Sequence, residues 1–226
     1  MENKIENSDP SITKLLEFLH ICERLKTTKR TGWIDNNIKN PESISDHMHR
    51  MSILSLLVKD STLDKDKHVF SEMSVVHDLA ESLVVRIRFY ALHFFALSLI
   101  LSVSNFIQGD ITPLEGISKI EKNRRESEAM RHLCSNLLEN SSQSQEIFAL
   151  WQEYEDATTN EAKFVKDIDK FEMILQAYEY EQSDNKDLER FFETTMGKFN
   201  HPEVKCWAEE LYAKRQVSKQ KNIKEH

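Results

Sequence analysis

The sequence predicts an all-α fold, and three observations carry that expectation. Only four Gly and four Pro occur among 226 residues, too few for the tight turns of a β-sandwich. Long stretches favour Glu, Lys, Leu and Ala, residues that lose little freedom in a helix. Segment after segment then repeats apolar residues at three- and four-residue intervals. The length suits one sizeable core, and a composition 39% apolar and 30% charged is that of a soluble globular chain.

The elements follow in order. Residues 1–10 are polar and are expected to be a disordered N-terminus without a signal peptide. Ser11 can cap a helix whose Ile12, Leu15, Leu16, Leu19, Cys22 and Leu25 share one face. "KTTKRTGWIDNNIKNPES" breaks the period with Gly32, Asn36, Asn37 and Pro41 and reads as a loop. A second helix starts near Ser43 or Ser45 and runs through "DHMHRMSILSLLVKD"; a third covers roughly Asp66 to Leu83. Beyond a strongly apolar stretch, "GDITPLEG" is turn-like. Helices are expected in "KIEKNRRESEAMRHLCSNLLE", "SQEIFALWQEYEDA", "NEAKFVKDIDKFEMILQAYEYEQ" and "PEVKCWAEELYAKRQ", with a shorter one near "DLERFFETTM". Residues 11–215 thus read as one domain interrupted at 85–108, and 216–226 as a Lys-rich, disordered polar tail.

The net charge of −8 argues against a nucleic-acid polymer as partner, because counterion displacement needs a basic face. A small anionic substrate remains compatible. The three cysteines are far apart and in no CxxC pattern, so reduced thiols in a cytoplasmic or nuclear compartment are expected.

Five residues stand out for chemistry. His77 and Asp78 are adjacent, and Glu81 follows within one helical turn; His47 lies on the preceding helix and Asp169 on a late one. Two imidazoles with carboxylates form a mixed N/O set. It favours an open, roughly octahedral ion such as Mn²⁺, Co²⁺, Mg²⁺ or Fe²⁺ over a closed structural zinc. A plainer reading stands beside it: a His-Asp pair as surface polarity or a core hydrogen bond, with Asp169 paired to Lys166 or Lys170.

"SISDHMHRM", "VVHDLAES", "GDITP" and "KFVKDIDKFEMILQAYEYE" resemble, in order, the sequence blocks of the HD-domain hydrolases, and in particular their 5′-deoxynucleotidase branch. "RTGW", "PESISDH", "NRRESEAM" and "GKFNHPE" extend the likeness from about Leu15 to Leu211. The resemblance implies a single HD-domain helical bundle, commonly dimeric, with a divalent metal between helices on His47, His77, Asp78 and Asp169. It implies that Glu81 positions or activates the attacking water near that metal. It further implies that Asp110 helps with proton transfer or a second ion, with the carbonyl of Ile111 beside it. The implied reaction is hydrolysis of a deoxynucleoside 5′-monophosphate to deoxynucleoside and phosphate. Arg30 can fork onto phosphate and Trp33 can pack against the sugar where a 2′-hydroxyl would sit. The alternatives are an ordinary surface charge and a core anchor. Bacterial relatives place Arg directly before the Trp, where this chain has Gly32.

Three readings compete for "VRIRFYALHFFALSLILSVSNFIQ". As a membrane span it approaches the roughly 20 apolar residues required, but one crossing would put His47, His77 and Asp78 opposite Asp169. As a helical excursion it needs a partner or lipid to cover it. As an intron retained in frame, its removal from Val85 to Gln108 restores the family-like run "HDLAESLVGDITP". Val codons begin with GT and Gln has the codon CAG, so both ends fit splice dinucleotides. In either of the last two readings, 28 residues separate Glu81 from Asp110, where the family has a few, so this form is expected to bind metal and hydrolyse poorly. Rival functions are a catalytically weak membrane-associated or partner-binding relative and a hydrolase of another nucleotide.

Overall fold

The structure, a computed structural model, describes residues 9–59, 67–84 and 118–224. The apolar stretch at 85–108, Asp110 and Ile111 lie outside the described residues. Nine α-helices are described: α1 (Pro10–Thr27), α2 (Thr31–Asp35), α3 (Ile44–Leu57), α4 (Lys67–Val76), α5 (Lys119–Arg131), α6 (Ser142–Asp156), α7 (Asn160–Asp184), α8 (Glu189–Thr195) and α9 (Pro202–Lys224). Among the described residues no sheet forms; Lys29 and Ser43 make one isolated bridge.

Side-chain caps fix the helix starts. Asp9, not Ser11, caps α1: its carboxylate accepts from the Ser11 amide, and Pro10 fills the first position, where a missing N–H costs nothing. Ser43 and Asp46 form a reciprocal capping box at α3. Ser118, Ser141 and Thr159 cap α5, α6 and α7. With so few glycines, left-handed turn positions fall largely to asparagine, at Asn37, Asn40, Asn140 and Asn185.

The long helix α7 runs through the middle. On one side Phe164, Ile168, Phe171 and Ile174 join Met51, Phe70, Trp33 and Phe192 in a core. A second core gathers Ile21, Leu25, Ile44, Met48, Leu79, Met130, Leu133 and Trp151. The stripe expected on α1 is only half used. Ile21 and Leu25 are buried, whereas Ile12, Leu15, Leu16 and Leu19 stay about half exposed at 45–54%.

Two further expectations shift. The third helix stops at Val76 and gives way to a tight turn over Leu79–Ser82. The chain beyond Gln216, expected to be disordered, continues α9 to Lys224. Tertiary contacts account for that extension. Lys219 reaches Glu189, and the Ser218 hydroxyl donates to Gln182 at 3.0 Å. Just before, the fully buried Arg215 donates two hydrogen bonds to Glu181, at 2.6 and 2.7 Å, and lies 3.8 Å over the Phe192 ring.

Removing one partner of a buried ion pair leaves the other charge uncompensated. Arg215→Ala should therefore lower the free energy of unfolding by about 3–5 kcal/mol in denaturant titrations. A loss below about 1 kcal/mol, the value of an exposed pair, would contradict this assignment.

Candidate metal centre

The site lies where α3, the α4 exit, α6 and α7 meet. His47 follows the α3 capping box directly, which fixes the helix start and hence the direction of the ring; the residue is fully buried. His77 sits just past the last turn of α4, its amide still bonded to the Met73 carbonyl at 2.9 Å. Its Nδ1 lies 2.9 Å from the Ser74 carbonyl, which can only accept, so this nitrogen carries the proton. Adjacent side chains on an ideal helix diverge by about 100°. Leaving the helix here lets Asp78 Oδ2 come within 3.3 Å of His77 Nε2. The change from the continuous helix expected over these residues thus serves the pair.

His47, His77 and Asp78 come together, and Asp169 stands beside His47. His47 Nε2 is 3.2 Å from Asp169 Oδ1 and 4.0 Å from Asp78 Oδ2. His47, His77 and Asp78 offer ligand atoms all within 4.8 Å of one another. Asp169 projects from α7 and accepts from the Tyr154 hydroxyl at 2.8 Å. The alternative lysine pairings do not form: Lys170 bonds Asp167, and Lys166 stands over the Tyr154 ring.

Among the described residues both buried histidine Nε2 atoms find no hydrogen-bond partner, although carboxylate oxygens stand beside them. Lone pairs aimed at a common point rather than at donors are what a shared cation requires. The donor set, two imidazole nitrogens and two carboxylates, fits a divalent ion with room for water. A second grouping, Glu42, His47 and Glu172, fits one poorly. Arg30 lies 3.6 Å from Glu42, and Arg50 is bonded to Glu172, so cations already face both carboxylates.

Burial and the Arg30 charge press the His47 pKa down. The Glu172 charge, its bond to Nδ1 and the Asp169 carboxylate beside Nε2 outweigh them and hold it up at about 9. Burial opposes ionisation of Asp78 too, but His77, then His47 and Arg30, pull its pKa well below the usual carboxylate range. Asp169 behaves alike: burial opposes, and the adjacent His47 ring with its charge prevails. The centre therefore attracts positive charge.

A cavity of about 310 Å³ opens over this point, with Arg30, Glu81, Lys122, Glu126, Tyr154 and Lys166 among its lining residues. Glu81 is buried in the turn after the His-Asp pair, its Oε1 3.5 Å from Lys122 Nζ. Arg30 Nη1 lies 3.6 Å from Asp78 Oδ2. Trp33 does not line the cavity. It is 1% exposed, packed on Phe191 and Tyr180, and its indole N–H donates to Glu42 at 2.8 Å. Sequence reasoning missed Glu172, Tyr154 and Lys122. Glu172 follows Asp169 by one turn of α7, a spacing that could have marked it.

A histidine–aspartate doublet meeting a second histidine and a distant aspartate inside an all-helical bundle defines a class, the HD domain. The HD-domain family profile matches residues 22–91 and 102–211, and the chain belongs to that family. The unmatched residues between those spans fall inside the apolar stretch. The chain is 41% identical over 206 residues to the 5′-deoxynucleotidase HDDC2 of Homo sapiens, covering 90% of this chain and 87% of that protein. It is 45% identical over 207 residues to the 5′-deoxynucleotidase hdd1 of Schizosaccharomyces pombe, covering 89% and 90%. Among solved structures it is similar to the HD domain-containing protein YGK1 (YGL101W), at 32% identity and a TM-score of 0.64, covering 93% of this chain and 90% of that one.

The raised His47 pKa has a consequence for the metal-free protein. Its unfolded value is about 6.5, so the stabilisation is fully present below pH 6.5 and is lost as pH rises through about 9. Chelator-treated protein should lose stability between those values, by at most about 1.4 kcal/mol per pH unit for one proton. His47→Gln should flatten that limb. Equal slopes in both proteins would contradict the His47 assignment.

Proposed function

We propose that this chain is a metal-dependent phosphomonoesterase that hydrolyses deoxynucleoside 5′-monophosphates to deoxynucleoside and phosphate. The observation that carries the reading is the pair of buried Nε2 atoms converging beside Asp78 and Asp169. Its occurrence in a chain 41–45% identical to named 5′-deoxynucleotidases supports this substrate class.

His47, His77, Asp78 and Asp169 would hold a divalent cation such as Mn²⁺, Co²⁺, Mg²⁺ or Fe²⁺. That ion supplies Lewis acidity, which acidifies water and offsets phosphoryl charge. Glu81, held by Lys122, orients the attacking water and takes its proton. Water adds to phosphorus as the bond to the 5′-oxygen breaks, and that oxygen takes a proton. Asp110 is the group we assign to proton transfer or to a second ion, with the Ile111 carbonyl beside it. Arg30 meets the phosphate. Trp33 contributes from behind, by anchoring Glu42, which faces the Arg30 guanidinium; a direct contact with the sugar would require more than its 1% exposure.

We read Val85–Gln108 as an in-frame retained intron that separates Glu81 from Asp110. No helix among the described residues is long and apolar enough to cross a membrane, and the segment itself lies outside them. We further infer a homodimer in which the half-exposed α1 stripe of one copy meets its partner, since contiguous apolar side chains otherwise face water.

Phosphate release from dCMP or dAMP under Co²⁺ or Mn²⁺ tests the activity. The variant lacking Val85–Gln108 should turn over faster than the full chain, and His77→Ala should give no metal-dependent release. In the deletion variant, Glu81→Gln should lower kcat by about 10²–10⁴-fold. Equal rates with and without the segment would refute its role, and activity in His77→Ala would refute the site. For the dimer, light scattering should give twice the 26.5 kDa chain mass. Leu15→Lys with Leu19→Lys should halve that mass; a monomeric wild type would end the inference.

A further inference from the structure

We propose that Glu172 is a positioning residue for His47: an acceptor-only carboxylate behind the ring fixes the proton on Nδ1 and aims the Nε2 lone pair into the cation site. This rests on the metal-site reading above.

Glu172 is fully buried on α7, one turn after Asp169. A single face of α7 therefore delivers both a direct ligand and the support for another. Its Oε2 lies 2.5 Å from His47 Nδ1. Its Oε1 accepts from Arg50 Nε at 2.8 Å, with Nη2 2.6 Å away. Arg50 follows His47 by three residues on α3 and is itself tied to Gln176 at 2.6 Å and Glu179 at 2.7 Å. His47 and Arg50 on one helix thus interlock with Asp169, Glu172 and Gln176 on the other.

Arg50 alone would neutralise a buried carboxylate. The second oxygen is spent instead on the ring nitrogen opposite the site. An ionised carboxylate only accepts, so Nδ1 must donate, and in the neutral, ligating ring the lone pair is then on Nε2. His77 is held differently, by the neutral Ser74 carbonyl. Charge therefore backs only one of the two imidazoles. An anionic partner raises the basicity of a ligating ring, and losing such a partner typically weakens metal affinity about 10–100-fold. In Glu172→Gln the amide can also donate to Nδ1, which permits the tautomer whose Nε2 carries a proton.

The test is calorimetric titration of the purified full chain with Co²⁺, together with the visible spectrum of the Co²⁺-loaded protein. Glu172→Gln should bind Co²⁺ about 10–100-fold more weakly, with shifted absorption bands and a native circular dichroism spectrum. The double variant Glu172→Gln/Arg50→Gln removes the opposing charge as well. It should show the same loss, and it decides the question if the single variant does not fold. His47→Ala separates the two layers of the argument. If wild type fails to bind Co²⁺, or His47→Ala binds it as wild type does, the metal-site reading itself falls. If wild type binds, His47→Ala is impaired and the folded glutamine variants bind within about twofold of wild type with unchanged spectra, the role of Glu172 is overturned.

Discussion

His47 is fully buried where α3 crosses α7, and an imidazole so placed needs a use for both ring nitrogens. One faces a carboxylate that an arginine pins in turn. The other faces the grouping it forms with His77 and Asp78, with Asp169 beside it. Much of the surrounding architecture serves that arrangement. The capping box sets where α3 begins, Tyr154 holds Asp169 from α6, and the break after Val76 turns the His-Asp pair toward the same point.

The electrostatics follow from the same placement. Three carboxylates crowd two imidazoles, so the centre attracts positive charge whichever cation supplies it. Without a metal, the same carboxylates hold the His47 pKa above its ordinary value. Above the pocket the lining is mixed: Arg30, Lys122 and Lys166 stand among Glu81, Glu126 and Glu155. Such a lining suits a ligand with one anionic end and a polar body, in keeping with a net charge that disfavours long polyanions.

Helix periodicity made most of the fold legible, and the ordered sequence blocks marked His47, His77, Asp78, Glu81 and Asp169. What stayed hidden depends on contacts distant in sequence. "VVHDLAES" contains no Gly or Pro, so nothing local announces that α4 ends at Val76. Glu172 sits between Phe171 and Met173, and Tyr154 among acidic residues; only the spacing of Glu172 from Asp169 hints at a role before α3 and α6 pack against α7. Trp33 stands out in the sequence, yet "KRTGW" cannot reveal that its indole turns inward to Glu42. The Asp9–Pro10 start of α1 was readable, because Asp before Pro is a strong opening signal that outweighs Ser11. The α9 extension was not, since it rests on Glu189 and Gln182 from other helices.

The central claim is the convergence of four side chains, from α3, the α4 exit and α7, on one cation. Anomalous scattering from a crystal grown with Mn²⁺ addresses it directly. The account predicts a peak within bonding distance of Nε2 of both His47 and His77 and of carboxylate oxygens of Asp78 and Asp169. A peak lying instead between Glu42 and Glu172, or a fully loaded site without Asp169 in its shell, would contradict it.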